Sequence, residues 1–298
     1  MTDCRFSFFL KQIDQPPIPC IRYFKRSRAL DFPAIAAVLR LSTKYLVEHL
    51  RRRCLARLDT DWPLTLADWD LRERRCHDEH GRYIPRDYCI HPILVIELAL
   101  DMNLSSILPA AFYDLARYGP SKIMSGTTAP TTTFHRLISQ LTNTPFHSNT
   151  PVRLSRDLLC RTLRGREASQ RYLAAFIEKE LHCRSPAQDC LYRLDTVAPS
   201  KQCFESFYFI MLNILRLVGG VACGRDSDPL FTLIQAMEML SRTDFSDGQR
   251  QCGLKLCQPC KVDFAASASK AREEIWSLLP QWFALVDVEK SKLPVDLD

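Results

Sequence analysis

A mainly α-helical fold is predicted by two features of this 298-residue chain. Apolar residues recur at steps of three and four through long Leu-, Ala- and Arg-rich runs, and glycine occurs only nine times. So few glycines argue against a glycine-turned β-barrel or a glycine-rich nucleotide fold. The pattern is clearest at residues 33–58, PAIAAVLRLSTKYLVEHLRRRCLARL, which predict two short amphipathic helices broken at Leu41-Ser42-Thr43. Asp31 can accept from free N–H groups of the first turn, and Pro33 suits an opening turn that needs no intrahelical donor. In the second helix Val47, Leu50, Cys54 and Leu58 form an inward stripe, which leaves Lys44, Glu48, Arg51, Arg52 and Arg53 outward.

Further along, Thr65–Asp70 opens a tryptophan-bearing helix, Arg72–Pro85 is a charged exposed loop, and His91–Asn103 is a second apolar helix. Residues 119–153, rich in Ser, Thr and Pro, interrupt every apolar period except a brief Leu137–Leu141 patch and are expected to be a linker. Beyond them Ser155 can cap a helix to about Leu163, Gly165 can end it in the left-handed region, and Ala168–Leu181 begins another. Residues 207–222 are apolar but carry Asn213 and Arg216 and fall short of the ~20 residues of a membrane span, so a buried core helix is expected. Asp228-Pro229 introduces Leu230–Leu240, and a last helix runs through Ala271–Leu279 to stop at Pro280, with Trp282 and Phe283 free to fold back. The expected organisation is a first region at 1–62, a helical extension at 63–118, a linker at 119–153 and a C-terminal helical domain at 154–285.

Taken together in this order, the hairpin of residues 33–58, Asp61-Trp62-Pro63, Thr65–Asp70, His91–Asn103, Ile107–Tyr113, and then Cys257-x-x-Cys260 with Trp276–Pro280, the chain resembles the BTB/POZ-domain proteins of basidiomycete fungi. The likeness covers most of residues 30–118 and 154–285. It implies the C-terminal half of a BTB fold followed by an α-helical region. The strand-rich first half of that fold is expected to be missing, because about thirty residues upstream of Asp31 are too few for it. The function implied is that of an intracellular, cytoplasmic or nuclear, non-enzymatic adaptor whose partner is a cullin-type ubiquitin ligase scaffold or a transcriptional regulator. Lys44, Glu48, Arg51 and Arg52 are the partner-binding residues expected on that reading, with no small-molecule substrate and no membrane.

Composition agrees with an ordinary globular chain, 46% hydrophobic and 25% charged. A net charge of +6 is modest for this length, and Arg51-Arg52-Arg53 and Lys25-Arg26-x-Arg28 have mostly aliphatic neighbours, so solvated faces are expected in place of a nucleic-acid surface. The chain carries none of the nucleotide-loop, nucleophile-elbow or His-Glu-x-x-His signatures of common enzymes.

Thirteen cysteines without an evident export signal point to reduced thiols, packing cysteines or metal ligands. Cys257-x-x-Cys260 is the strongest chemical signal, since two thiolates so spaced can turn toward one cation. The set expected is Cys183, Cys190, Cys257 and Cys260 around a structural zinc, with sulfurs within about 4 Å of one another. His182 and Cys252 are substitutes close in sequence. The competing reading treats these cysteines as small buried hydrophobes. A thioredoxin-like role would need a βαβ context that the flanks do not offer. Cys76, His77, His80, Cys89 and His91 have ligand chemistry but irregular spacing, and are expected to be solvated.

Overall fold

The structure, a computed structural model, describes residues 29–128, 151–192, 201–218, 227–243, 245–246 and 251–285. Helices dominate, and the paired strands among the described residues are one two-residue ribbon. The chain divides into two units, residues 1–107 with 128–150, and residues 108–127 with 151–298. Lys25-Arg26-x-Arg28 and the Leu137–Leu141 patch lie outside the described residues. Among the described residues no helix is long and apolar enough to cross a membrane.

In the first unit, helices α1 (Phe32–Lys44) and α2 (Glu48–Asp61) pack against each other as the expected hairpin. The break falls at Tyr45–Val47, four residues later than the sequence suggested. Ser42 is buried and bonds back to the Leu39 carbonyl at 3.0 Å, so it continues the helix. The turn is made instead by Leu46, at φ 59°, which lets Val47 N–H reach the Ser42 carbonyl at 2.8 Å and close the helix end. Asp31 occupies the N-cap position without a side-chain cap bond, while Pro33 sits in the first turn as expected. Cys54 and Leu58 are buried on the inner face and Val47 and Leu50 half-buried. Burial pushes the Cys54 thiol up to about 11.

Helix α3 (Leu66–Arg75) is capped by Thr65, whose hydroxyl accepts from the Asp68 N–H at 3.2 Å. Its buried Arg72 guanidinium lies over the rings of both Trp62 and Trp69, 4.8 and 4.5 Å from their centroids, donates to the Asp61 carbonyl at 2.7 Å and pairs with Glu73 at 2.7 Å. After the short α4 (Pro85–Tyr88), helix α5 (Pro92–Asp101) buries Ile93, Val95, Ile96, Leu98 and Ala99.

The second unit contains α6 (Leu108–Ala116), α7 (Pro120–Ser125), α8 (Arg156–Ile177) running into a π turn at Glu178–His182, α9 (Lys201–Val218), α10 (Pro229–Glu238), the ribbon β1 (Phe245–Ser246) with β2 (Gln251–Cys252), and α11 (Gln258–Trp282). Helix α8 packs on α6 and α11, α10 packs on α11, and α9 on α10. Residues 108–127 therefore belong with the C-terminal helices, although composition placed them in a helical extension and the start of a linker.

Gly165 does not end a helix. It lies inside α8, where a Cβ would stand 2.0 Å from the ring of Phe283. Its role is to let that ring approach, and the buried Phe283 stacks on Phe112 at 5.4 Å between centroids. Pro280 likewise lies within α11, two residues from its end, and of the two residues expected to fold back Phe283 is buried while Trp282, the last helical residue, is half-buried. A polar knot joins α6 to α10. Tyr113 Oη donates to Asp228 at 2.8 Å and accepts from the Leu230 N–H at 3.1 Å, while Arg117 donates to Asp228 at 2.9 Å and pairs with Asp114. Burial, then the Asp228 charge, hold the Tyr113 phenol well above its ordinary range. Asp228 also caps α10, accepting from the Phe231 N–H at 3.1 Å.

Candidate metal centre

Four buried cysteines, Cys190, Cys203, Cys257 and Cys260, converge in the second unit with their sulfurs all within 4.8 Å of one another. The Cys190–Cys203, Cys203–Cys257 and Cys257–Cys190 sulfur distances are 3.8, 3.7 and 3.7 Å. A tetrahedron of thiolates with metal–sulfur bonds near 2.3 Å has edges of about 3.8 Å. A disulfide would need about 2.05 Å, and all four cysteines are free thiols.

Each ligand is placed by a different local device. Cys257 is the N-cap of α11 and Cys260 stands in its first turn, so the spacing of the pair is that of a helix start. Cys203 lies in the first turn of α9, in phase with Phe207, Ile210 and Ile214, and these three side chains anchor it inward. Cys190 is carried by the irregular segment after the π turn. That segment is held by the buried Arg184, which bonds Glu180 at 2.5 Å, pairs with Asp263 and lies over the rings of Phe207 and Phe264 at 5.2 and 5.3 Å.

The surroundings suit thiolates. Two helix N-termini open onto the sulfurs, and their positive ends favour negative charge. Backbone N–H groups also point at sulfur: Ala187 N lies 3.4 Å from Cys260 Sγ and Cys257 N lies 3.5 Å from Cys203 Sγ. Burial opposes ionisation of Cys257, but N–H donation from Cys260 and Leu191 outweighs it and brings this thiol down to about 7. Cys203 is pushed by burial up to about 11, and Cys260 is raised for the same first reason. One easily ionised thiol beside more resistant ones is the starting point for a site whose protons a cation must displace. The cluster could hold a metal ion through four sulfur ligands.

The sequence pointed to Cys190, Cys257 and Cys260 but put Cys183 where the structure has Cys203. Cys183 is exposed at the end of the π turn, beside Glu178 and His182, and has no part in the buried cluster. The stripe Cys203-x-x-x-Phe207-x-x-Ile210-x-x-x-Ile214 is the signal that identifies the right residue. His182 is exposed, and the Cys252 side chain lies outside the described residues. Cys76 and Cys89 are not solvated as expected. Both are buried in the first unit, and the hydrogen bond between them, followed by burial, raises the Cys76 thiol far above its usual range. His77 and His80 are exposed, while His91 accepts from the Ile93 N–H at 3.4 Å and caps α5.

Lys44, Glu48 and Arg52 are exposed and Arg51 is half-buried. Glu48 is engaged within its own helix, 3.0 Å from Arg52 and 3.9 Å from Arg51.

Comparison of the chain with protein-family models, with curated proteins and with solved structures finds no match.

Proposed function

We propose that the second unit is a zinc-stabilised structural domain, with Zn²⁺ held by Cys190, Cys203, Cys257 and Cys260, in a protein that works by recognising other proteins. The observation that carries this reading is the convergence of four buried sulfurs within 4.8 Å of one another, three of them at the edge length of a metal tetrathiolate. With four protein ligands and no open position, such a site supports structure instead of catalysis. Tetrahedral sulfur sites suit zinc or iron, so elemental analysis of the purified chain decides the metal. About one equivalent of zinc, lost on Cys203→Ser, is expected. One equivalent of iron would keep the site and overturn the assignment of zinc, and absence of metal would return the four residues to small buried hydrophobes.

An adaptor role for the first unit is supported by the turn of the α1–α2 hairpin. Leu46 is 88% exposed in a left-handed conformation that costs a branched side chain roughly 1 kcal/mol, and Leu41 and Tyr45 are exposed next to it. Apolar side chains displayed at an energetic cost, with Lys44, Arg51 and Arg52 nearby in the chain, fit a surface for a protein partner. The resemblance to BTB proteins makes a cullin-type scaffold or a transcriptional regulator the class to test. Calorimetric titration with a purified cullin scaffold is the direct measurement. Binding that is weakened at least tenfold by Leu46→Asp or by Arg51→Glu with Arg52→Glu is expected. Binding that ignores all three substitutions would remove the hairpin from the interface, and no binding would remove the cullin.

A further inference from the structure

We propose that Glu178, His182 and Cys183 form a second, solvent-facing site for a divalent transition metal, separate from the buried thiol cluster. Their ligand atoms already form a compact triangle. His182 Nδ1 is 3.5 Å from Glu178 Oε1, Cys183 Sγ is 3.6 Å from His182 Nδ1, and Cys183 Sγ is 3.7 Å from Glu178 Oε1. Bonds near 2.3 Å to sulfur and near 2.0–2.2 Å to nitrogen and oxygen give one face of a tetrahedron edges of about 3.3–3.6 Å. The triad therefore meets that face with shifts of a few tenths of an ångström.

The π turn is what makes the triangle possible. In an α-helix residues i and i+4 share a face, but i+5 stands well over 90° away. With about 4.4 residues per turn, a π turn leaves i+4 and i+5 on either side of i, so all three side chains rise together. The bond that defines this turn is present: Cys183 N–H donates to the Glu178 carbonyl at 2.9 Å, across five residues. Such turns are rare beside regular helix and are frequently found at functional sites. A plain exposed ion pair between His182 and Glu178 needs only the i, i+4 spacing of an α-helix, whereas the π turn adds the Cys183 thiol, which donates to Glu178 Oε1 at 3.7 Å and so completes a set of three ligand types around one point.

The ligand chemistry selects the cation. Thiolate and imidazole are too soft for Mg²⁺ or Ca²⁺, whereas a mixed sulfur, nitrogen and oxygen set suits Zn²⁺, Co²⁺ or Ni²⁺. Three protein ligands leave at least one position open to water or to a ligand from a partner, which is the arrangement of exchangeable sites and not of closed structural ones. Side-chain exposures of 68% for Glu178 and 61% for His182 keep the position accessible. On binding, the Cys183 thiol proton passes to buffer and the sulfur becomes a metal-bound thiolate.

The test is a Co²⁺ titration of the full chain as purified, followed by the thiolate-to-cobalt charge-transfer absorption and by the number of equivalents bound. Wild type is expected to take up one equivalent that His182→Ala, Glu178→Gln and Cys183→Ser each weaken at least tenfold, while Cys160→Ser, which removes another exposed thiol, changes nothing. The comparison of wild type with His182→Ala isolates this site whatever the buried cluster holds. Equal cobalt uptake by wild type and His182→Ala, or uptake that falls with Cys160→Ser as much as with Cys183→Ser, would overturn the proposal.

Discussion

The two ends of helix α11 are fastened in different ways. Its C-terminal end is held by packing: Phe283 fills the space left by Gly165 and stacks on Phe112, so three helical segments meet over aromatic surface. Its N-terminal end meets α9 and the irregular segment carrying Cys190, and there four thiols converge. The difference follows from what each end has to join. Helices offer continuous apolar stripes, and burying one large side chain contributes roughly 1.5–3 kcal/mol. The segment around residues 183–192 has little apolar surface, since Leu191 is exposed and Cys190 is its buried hydrophobic residue. On the zinc reading proposed above, a cross-link through the metal would replace the packing that such a segment cannot supply, as in small domains generally.

If the four thiols hold zinc as proposed, removing it should have the largest effect in the molecule. Structural zinc in small domains carries an apparent binding energy of roughly 10–16 kcal/mol, comparable to or larger than the whole stability of a typical domain. Treatment with a strong chelator, or Cys203→Ser, should unfold the second unit or leave it molten, with loss of helical circular dichroism and of a cooperative melt. The ligands must be deprotonated to bind, so acidification acts in the same direction as the chelator, and alkaline shift does not. If the melt is unchanged in chelator, the two ends of α11 are alike and packing holds both.

The packed end can be broken without touching the thiols. A fragment of residues 154–298 lacks Phe112, Tyr113 and Arg117, all buried in the second unit, and should fail to fold even with zinc present. A fragment of residues 108–298 should fold. Folding of the shorter fragment would show that the metal end alone suffices.

A finer probe is Gly165→Ala. The added methyl would collide with a buried ring at 2.0 Å, and overpacking of this kind costs about 1–3 kcal/mol. Phe283→Ala should cost about 3–5 kcal/mol by opening a cavity. The double variant should lose less than the sum, because the methyl then has room. Denaturant midpoints of the three variants measure this directly, and strict additivity would deny the contact.

Legibility in the sequence divided along the same line. The hairpin, the cap at Asp228-Pro229 and the Ser155 cap could be read because each depends on neighbours a few residues away. Gly165 reads locally as a helix stop because a glycine's tertiary reason, here a ring more than a hundred residues distant, leaves no local mark. Leu46 escaped notice for the converse reason: a left-handed leucine violates the local rule that a reader relies on. Residues 207–222 read as a buried helix, yet α9 leaves Phe204, Tyr208, Leu212 and Leu215 exposed opposite its buried stripe. Composition registered the apolar content but could not tell which half would find a neighbour. The buried thiol cluster was three-quarters legible, since a Cys-x-x-Cys pair and a nearby Cys190 are local, while the fourth cysteine depended on the phase of a separate helix.

The smallest effect expected separates the two cysteines that sequence spacing could not. Cys183→Ser should leave the free energy of unfolding within about 0.5 kcal/mol of wild type, as exposed substitutions generally do. Cys203→Ser should abolish the transition. Cys183 is seven residues before Cys190, close enough in the chain to look like its partner, but its sulfur faces Glu178 and His182 on the exposed side of the π turn. Cys203 is thirteen residues after Cys190 and reaches it because α9 buries the stripe that Cys203 begins. The measurement is best made with one metal per chain, so that the outer triad carries none. Comparable destabilisation by the two substitutions would mean that Cys183 can enter the buried cluster, and the distinction between a closed thiol site and an open mixed site would fall.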